Sequence, residues 1–339
     1  MLKVRFGIIG CGMIANFHAA AIAQVREAEL RACFDQYAPG AAAFAEKNAI
    51  TAFHSLEEML ESDAIDAVSI CTPSGMHAPQ TLAALRAGKH VVVEKPMSLS
   101  LEDADAIIDL SERMKRKVCV ISQYRFQDAV QAVKRAIDGG AFGRIVSASL
   151  AMKYYRSQEY YASGGWRGTW KMDGGGALMN QGIHGVDVFR YLMGPVRTLT
   201  ALTKTQTRNI EVEDSAVAIV DFKCGAVGTM EGSTTCYPGY PRRIEICGDN
   251  GSVVLEEDRI LRWDLPAECP VPVGLNAENV ASSDPKAISA QGHIRLIGNF
   301  ADAVLHDTPL LLDARSGRAP LEIILGVYRS AKLGQPVDL

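Results

Sequence analysis

Near the amino terminus a mostly apolar run, Val4-Arg5-Phe6-Gly7-Ile8-Ile9, passes directly into Gly10-Cys11-Gly12-Met13-Ile14-Ala15 and then into a helix-compatible stretch from Asn16 to Gln24. Strand, GxGxxA turn and helix in this order constrain the fold more than any other feature of the chain. Gly10 suits the tight turn, Gly12 lets backbone approach a pyrophosphate, and Ala15 lets the helix pack closely on the strand. The helix start offers unbonded N–H groups and a positive dipole end to phosphates. Gly10, Cys11, Gly12, Met13 and Ile14 are therefore candidate cofactor-binding residues.

A second strand, Leu30 to Phe34, ends at Asp35, which lies 35 − 10 = 25 residues beyond Gly10. That is close to the roughly 20 expected for the acid that binds the adenosine ribose hydroxyls. Its charge repels a 2'-phosphate, and Gln36 and Tyr37 supply no cation to bind one. NAD is expected, with NADP less favoured.

Strand and helix patterns alternate to about residue 122, which predicts a parallel, doubly wound sheet. Ser100 followed by Asp103 reads as the start of a helix running to Arg116. From about Gly143 the pattern changes to long strands with two-residue alternation: 145–154, 196–207, 215–222, 226–236 and 242–263, the last with a turn at Gly248-Asp249-Asn250-Gly251. These suit a mainly antiparallel sheet with one covered face. The expected class is α/β: a Rossmann domain over 1–122 and a second α/β domain over 123–339 for substrate binding and oligomerisation. An irregular loop is expected at 266–286 and helices near 292–306 and 318–332. Val217, Ile219, Val227 and Met230 mark a broad β face suited to contact with another copy.

The 35 basic and 39 acidic residues are mixed along the chain and leave a net charge of −4, so neither a nucleic-acid surface nor a polybasic membrane patch is indicated. No apolar run approaches the roughly 20 residues of a membrane span, and the first residues read as a strand. A cytoplasmic protein with small-molecule partners is expected. The eight cysteines show no CxxC pair or metal-ligand spacing and read as reduced core residues, with no metal expected. Cys11 is the exception to watch, because a helix dipole beside it could lower its pKa.

Two further constellations carry chemistry. Glu94-Lys95-Pro96 follows the apolar strand His90 to Val93, so Lys95 emerges at the carboxyl end of the sheet, where such sheets bind ligands. A cation there would polarise a reacting oxygen. Farther on, Asp173-Gly174-Gly175-Gly176 leads into a helix from Ala177 to Met193 that Gly194-Pro195 ends. On it Asn180, His184 and Asp187 stand at i, i+4 and i+7, one face. The glycines allow a ligand or another backbone to come close. His184 is the candidate acid/base, since imidazole titrates near neutral pH; Asp187 reads as structural, orienting His184 or meeting a backbone N–H. Between them in sequence lie Tyr154, Tyr155, Arg156, Tyr160, Tyr161, Trp166, Arg167 and Trp170, a cluster that could stack on a sugar while Arg167 binds an anion or hydroxyl.

These motifs together resemble the glucose-fructose oxidoreductase, inositol dehydrogenase and rhizopine-catabolism family, Gfo/Idh/MocA. The likeness rests on Gly10 to Ala15, Cys71-Thr72-Pro73-Ser74-Gly75-Met76-His77, Glu94-Lys95-Pro96, and the run from Gly174 to Asp187. It implies a Rossmann domain and an α/β domain whose large sheet forms a homodimer or homotetramer. It also implies hydride transfer between NAD and a hydroxyl-bearing carbon of a sugar, polyol or nucleotide-sugar. Lys95 matches the lysine near the nicotinamide, Thr72, Pro73 and His77 the loop lining the cofactor, Glu94 a ribose contact, and His184 the general acid/base. Asn180 departs from the pattern, since members commonly carry Asp there; an amide can orient a hydroxyl but cannot relay a proton. Tyr124, Arg125, Trp166, Arg167 and Asn180 are the expected substrate contacts.

The expected chemistry is oxidation of a carbohydrate hydroxyl, or the reverse, with His184 taking the proton and Lys95 stabilising the developing alkoxide. One alternative is a glycosidase or epimerase that oxidises transiently and returns the hydride. Another is a non-catalytic NAD sensor, for which neither Lys95 nor His184 would be needed.

Overall fold

The structure is a computed structural model that describes residues 2–272 and 290–339. The loop expected at 266–286 therefore lies outside the described residues from 273 onward. The chain divides into two compact units, Met1–Gln123 with Ser289–Arg318, and Tyr124–Ile288 with Ala319–Leu339.

The first unit opens with strands β1 (Val4–Ile9), β2 (Ala28–Phe34), β3 (Thr51–Ala52), β4 (Ala67–Ile70), β5 (His90–Val93) and β6 (Val118–Val120). Helices α1 (Met13–Gln24), α2 (Ala38–Asn48), α3 (Leu56–Glu61), α4 (His77–Arg86) and α5 (Leu101–Met114) connect them. All pairings are parallel and the order is β3-β2-β1-β4-β5-β6. The order reverses between β1 and β4, and ligands of open α/β sheets bind outside the strand ends at such a reversal. β4 and the three valines of β5 are buried throughout, as strands covered on both faces must be. Ser100 caps α5 by accepting from the Asp103 N–H at 3.1 Å, as expected.

The second unit contains α6 (Asp128–Asp138), β7 (Ile145–Lys153), α7 (Gln158–Ala162), α8 (Ile183–Met193), and strands β8 (Val196–Lys204), β9 (Ser215–Phe222), β10 (Val227–Ser233), β11 (Arg243–Gly248), β12 (Ser252–Glu256) and β13 (Arg259–Asp264). After them come α9 (Ala290–His306), α10 (Ala314–Leu333) and β14 (Val337–Asp338). The eight-stranded order is β13-β12-β11-β7-β10-β9-β8-β14, and only the β7–β10 pair is parallel. The long strand expected at 242–263 is three, because a further turn at Glu257, with φ 51°, folds β13 back on β12.

α9 does not belong with the second sheet, where the expected division at 122 left it. It packs on the first: Phe300 lies 5.6 Å from Phe6 ring to ring, and the His293 ring is 5.5 Å from that of His18 on α1. Strand parity settles the β face. Val217, Ile219 and Val227 are 53%, 64% and 57% exposed, whereas Met230 is buried on the covered side with Ala218 opposite it. Met230 thus lies on the opposite face from Val217, Ile219 and Val227, not with them as expected. Among the described residues no helix is long and apolar enough to cross a membrane.

Candidate functional site

In the first unit the turn fits a dinucleotide. Gly10 has φ +89°, and a Cβ there would stand 2.8 Å from Thr72 and 3.0 Å from the Cys71 backbone. At Gly12 a Cβ would meet nothing within 4 Å, and α1 begins there with no side-chain cap. Open space thus faces uncapped N–H groups, the arrangement a pyrophosphate needs. Asp35 reaches this turn: its Oδ2 accepts from the Cys11 N–H at 2.6 Å and its Oδ1 from the Tyr37 N–H at 2.8 Å. Met13 is half exposed and Ile14 partly so at the start of the helix. The thiol of Cys11 is pushed up, first by its hydrogen bond with Cys33 and then by burial, which is opposite to the lowering that a helix dipole suggested. Cys33, Cys71 and Cys119 are buried as expected, but Cys224 is exposed.

Beneath the Lys95–Pro96 turn, whose peptide bond is cis, three segments are tied together. His77, fully buried, faces the Pro96 carbonyl at 2.7 Å through Nδ1 and the Thr72 carbonyl at 2.8 Å through Nε2. Burial lowers its pKa, so the neutral ring donates to one of the two at a time. His77 thus fastens the Thr72-Pro73 loop to the Lys95 turn, and the Thr72 hydroxyl donates to Gln80 at 2.6 Å. Glu94 is buried and accepts from the Lys95 N–H at 3.1 Å. Its other oxygen is 3.0 Å from Nε2 of buried His18, whose Nδ1 meets Ser69 Oγ at 2.6 Å. Burial opposes charge on both, yet Cys71 and Glu94 raise His18 to about 10, and His18 and Lys95 hold Glu94 below the ordinary carboxylate range. His293 completes a group whose ligand-type atoms lie within 4.8 Å of one another. Both ring nitrogens of His18 are taken by hydrogen bonds, so we read this group as an ion-paired network. No spacing rule could have grouped residues 18, 94 and 293.

In the second unit the lead-in to α8 is a π-helical turn, Ala177–Gly182, where a continuous α-helix was expected. Such turns are rare and concentrate at functional sites. It is pinned by Glu213, which is buried and accepts from the N–H groups of Gly176 and Leu178 at 2.9 Å each and from the Tyr328 hydroxyl at 2.9 Å. Burial raises its pKa, an effect these donors partly offset. A Cβ on Gly175 would stand 2.1 Å from that hydroxyl and one on Gly176 1.9 Å from the Glu213 carbonyl. Gly175 therefore admits the Tyr328 side chain and Gly176 the Glu213 backbone. Gly182 and Gly185 likewise seat the helix on the covered face of β7, a Cβ at Gly185 falling 2.4 Å from Met152.

Half-buried His184 packs against Tyr124 with ring centroids 4.8 Å apart and planes inclined at 42°, and the guanidinium of Arg242 lies 4.7 Å from the same Tyr124 ring. Burial and Glu257 push the Tyr124 hydroxyl up to about 12, so it stays protonated at neutral pH. Arg242, itself buried, is held by Glu257 and by Gln127 at 3.1 Å. Neither Arg242 nor Glu257 gave a sequence signal. Asp187 accepts from Arg125 through both oxygens, so that guanidinium, expected to contact substrate, is engaged within the fold. Asn180 donates to Asp173 at 2.5 Å. In the aromatic loop, Arg167 lies 4.9 Å from the Tyr160 ring and 5.1 Å from that of Trp166, and Arg208 covers Tyr155. Much of that cluster is guanidinium–ring stacking that shapes the loop itself.

Residues 4–122 match the oxidoreductase family, NAD-binding Rossmann fold, and residues 130–254 match the GFO/IDH/MocA C-terminal domain. Inositol 2-dehydrogenase of Rhizobium meliloti is 30% identical over 76% of this chain and 77% of its own. The chain belongs to the Gfo/Idh/MocA family. Among its members, D-glucoside 3-dehydrogenase of Escherichia coli is 26% identical over 99% of this chain and 97% of its own. The WlbA dehydrogenase of Bordetella pertussis, solved with NADH and UDP-GlcNAcA, superposes with a TM-score of 0.91 at 34% identity, covering 100% of this chain and 98% of that one. As a Gfo/Idh/MocA oxidoreductase the protein takes NAD as its cofactor, in agreement with the turn and with Asp35.

Proposed function

We propose that this protein is an NAD-dependent dehydrogenase of a nucleotide-linked sugar acid, oxidising a secondary hydroxyl of the sugar ring. The observation that carries this reading is the full-length, 34% identical likeness to a dehydrogenase solved with NADH and UDP-GlcNAcA. NAD, when bound, supplies the hydride acceptor. Gly10, Cys11, Gly12, Met13 and Ile14 hold its pyrophosphate, Asp35 its adenosine ribose, and Thr72, Pro73, His77 and Glu94 shape or touch the nicotinamide end. Neutral His184 takes the hydroxyl proton, and Lys95 donates a hydrogen bond to the oxygen as negative charge develops on it. Tyr124 packs against the imidazole at a tilt and limits its movement. Asn180, Trp166 and Arg167 contact the sugar, while Arg125 supports this wall through Asp187.

The exposed apolar face of the large sheet, with Leu202, Val217 and Ile219 on neighbouring strands, is in this reading the contact between copies of the chain.

The test is to follow reduced-nicotinamide absorbance with NAD and, in turn, UDP-GlcNAcA, UDP-GlcNAc, glucose and myo-inositol. Net reduction with the sugar acid is the expected result; reduction with a free polyol alone would overturn the substrate, and product formed without net reduction would make the protein an epimerase or glycosidase. Lys95→Ala should lower turnover by roughly 10² to 10³ with NAD affinity retained. No loss of turnover would remove Lys95 from the chemistry, and a protein that binds NAD but turns over none of these compounds would be a sensor.

A further inference from the structure

The residue that departs from the family pattern, Asn180, does not stand alone. Its Nδ2 donates to Oδ1 of Asp173 at 2.5 Å, and Oδ2 of Asp173 accepts from the Gly168 N–H at 2.8 Å. Asp173 is fully buried, and both of its oxygens accept hydrogen bonds, as an ionised carboxylate does. A carboxylate accepts only, so it leaves the Asn180 amide one orientation: nitrogen towards Asp173, oxygen away from it. On that other side the amide oxygen is 3.4 Å from Nε2 of Gln181, whose own Nε2 also donates to the Tyr160 hydroxyl at 2.8 Å. Asn180 is half-buried and sits in the π-turn one helical turn before His184.

We infer that Asp173 is a positioning residue that fixes the Asn180 amide with its oxygen towards the substrate, so that Asn180 is an obligatory hydrogen-bond acceptor and selects a substrate hydroxyl that donates. The inference rests on the reading that Asn180 faces the sugar. It also accounts for the asparagine. An aspartate at position 180 would bring two carboxylates within one hydrogen bond of each other, and one would have to hold a proton. The negative charge commonly found at that position is here one hydrogen bond farther back, on Asp173, and the amide relays its orienting effect without sharing its charge. A simple upward shift of the pH profile in Asn180→Asp is therefore not the expected outcome in the presence of Asp173.

The test is an exchange of the two side chains. In Asp173→Asn, the amide at position 173 keeps its oxygen on the Gly168 N–H and turns its nitrogen towards Asn180. The Asn180 amide then flips and presents a donor where the substrate expects an acceptor. Loss of kcat/KM by roughly ten- to a hundredfold is expected, carried by substrate rather than by NAD affinity. Asn180→Asp alone also loses activity. In Asp173→Asn with Asn180→Asp, the amide at 173 donates to the carboxylate at 180, an acceptor again faces the substrate, and activity recovers most of the loss. The recovered enzyme carries a carboxylate next to His184, so its acidic limb moves to higher pH. Failure of the exchange variant to recover, with its thermal midpoint and NAD affinity retained, overturns the inference. A readout independent of turnover is the side-chain amide resonance of Asn180 in protein labelled with 15N-asparagine. The bond to Asp173 should hold it downfield and protect it from exchange, and Asp173→Asn should shift it. An unmoved resonance overturns the pairing whatever the substrate is, whereas a moved resonance in a protein that turns over no sugar supports the pairing and counts against the proposed function alone.

Discussion

Arg125 grips Asp187 through both carboxylate oxygens, Nε to Oδ2 at 2.8 Å and Nη2 to Oδ1 at 2.5 Å, with both side chains largely buried. The carboxylate that follows His184 by one helical turn is thus neutralised by a guanidinium, and the guanidinium is further packed 5.0 Å from the Tyr191 ring. Residues three apart on a helix are neighbours, so the state of this pair is felt at His184.

Alcohol oxidation is expected to fall at low pH as the His184 imidazole takes a proton, because only the neutral ring accepts one from the substrate. His184→Ala should abolish that limb. Arg125→Gln removes the positive partner and leaves Asp187 to favour the imidazolium, so the limb should move to higher pH. Breaking a buried pair costs about 3–5 kcal/mol, so the variant's fold is checked by its thermal midpoint first. A pH–rate profile that stays in place in a folded Arg125→Gln enzyme would mean that His184 does not sense Asp187.

NAD should bind more tightly than NADP, and Asp35→Ser should narrow the preference. The carboxylate also accepts from the Cys11 N–H inside the phosphate-binding turn, so the substitution weakens NAD as well as admitting the 2'-phosphate. A charge-assisted hydrogen bond is worth about 1.5–3 kcal/mol, which corresponds to NAD affinity falling by roughly ten- to a hundredfold. Fluorescence titration with both cofactors measures this directly. Equal affinities in the unaltered protein would place Asp35 outside the ribose site.

The buried His18–Glu94 pair predicts a pH-dependent contribution to stability. His18 is raised from an ordinary 6.5 to about 10, so its contribution is complete below about 6.5 and is lost as pH rises through about 10. Glu94 is held below its ordinary 4.5, so its contribution is present above that pH and disappears as pH falls through the lowered value. The pair is therefore at full strength between the two ordinary values. His18→Gln should lower the thermal midpoint of the NAD-free protein more at about pH 6 than at about pH 10. Equal destabilisation at both would show that the histidine is neutral throughout.

Leu202 is 68% exposed and pairs with Val217 across β8 and β9, where Ile219 is also exposed at 64%. A charge at Ile219 cannot be accommodated between two apolar sheet faces. Ile219→Lys is expected to convert a dimer or tetramer into a monomer, read by light scattering, while the monomer keeps its NAD affinity. An unaltered protein that is already monomeric would refute the interface.

The local elements of this protein were legible in the sequence because short-range physics writes them. A strand, a GxGxxA turn and an acid at the end of the next strand specify the cofactor end through residues that are neighbours along the chain or lie one βα unit apart. Ser100 with Asp103, and Gly194-Pro195 after Met193, likewise mark helix ends through contacts within a single turn. Two-residue alternation revealed the second sheet but not which parity faces the helices, and Met230 fell on the side the pattern could not choose. Only the tertiary structure joined His18 to Glu94, Arg125 to Asp187, Asp173 to Asn180 and Glu213 to Tyr328. It also moved α9 onto the first sheet and widened the lead-in to α8 into a π-turn. Except for Asp173 and Asn180, seven residues apart across a glycine-rich turn, these partners are separated by tens of residues. Buried polar groups must find partners wherever packing brings them, and no periodicity records where that is.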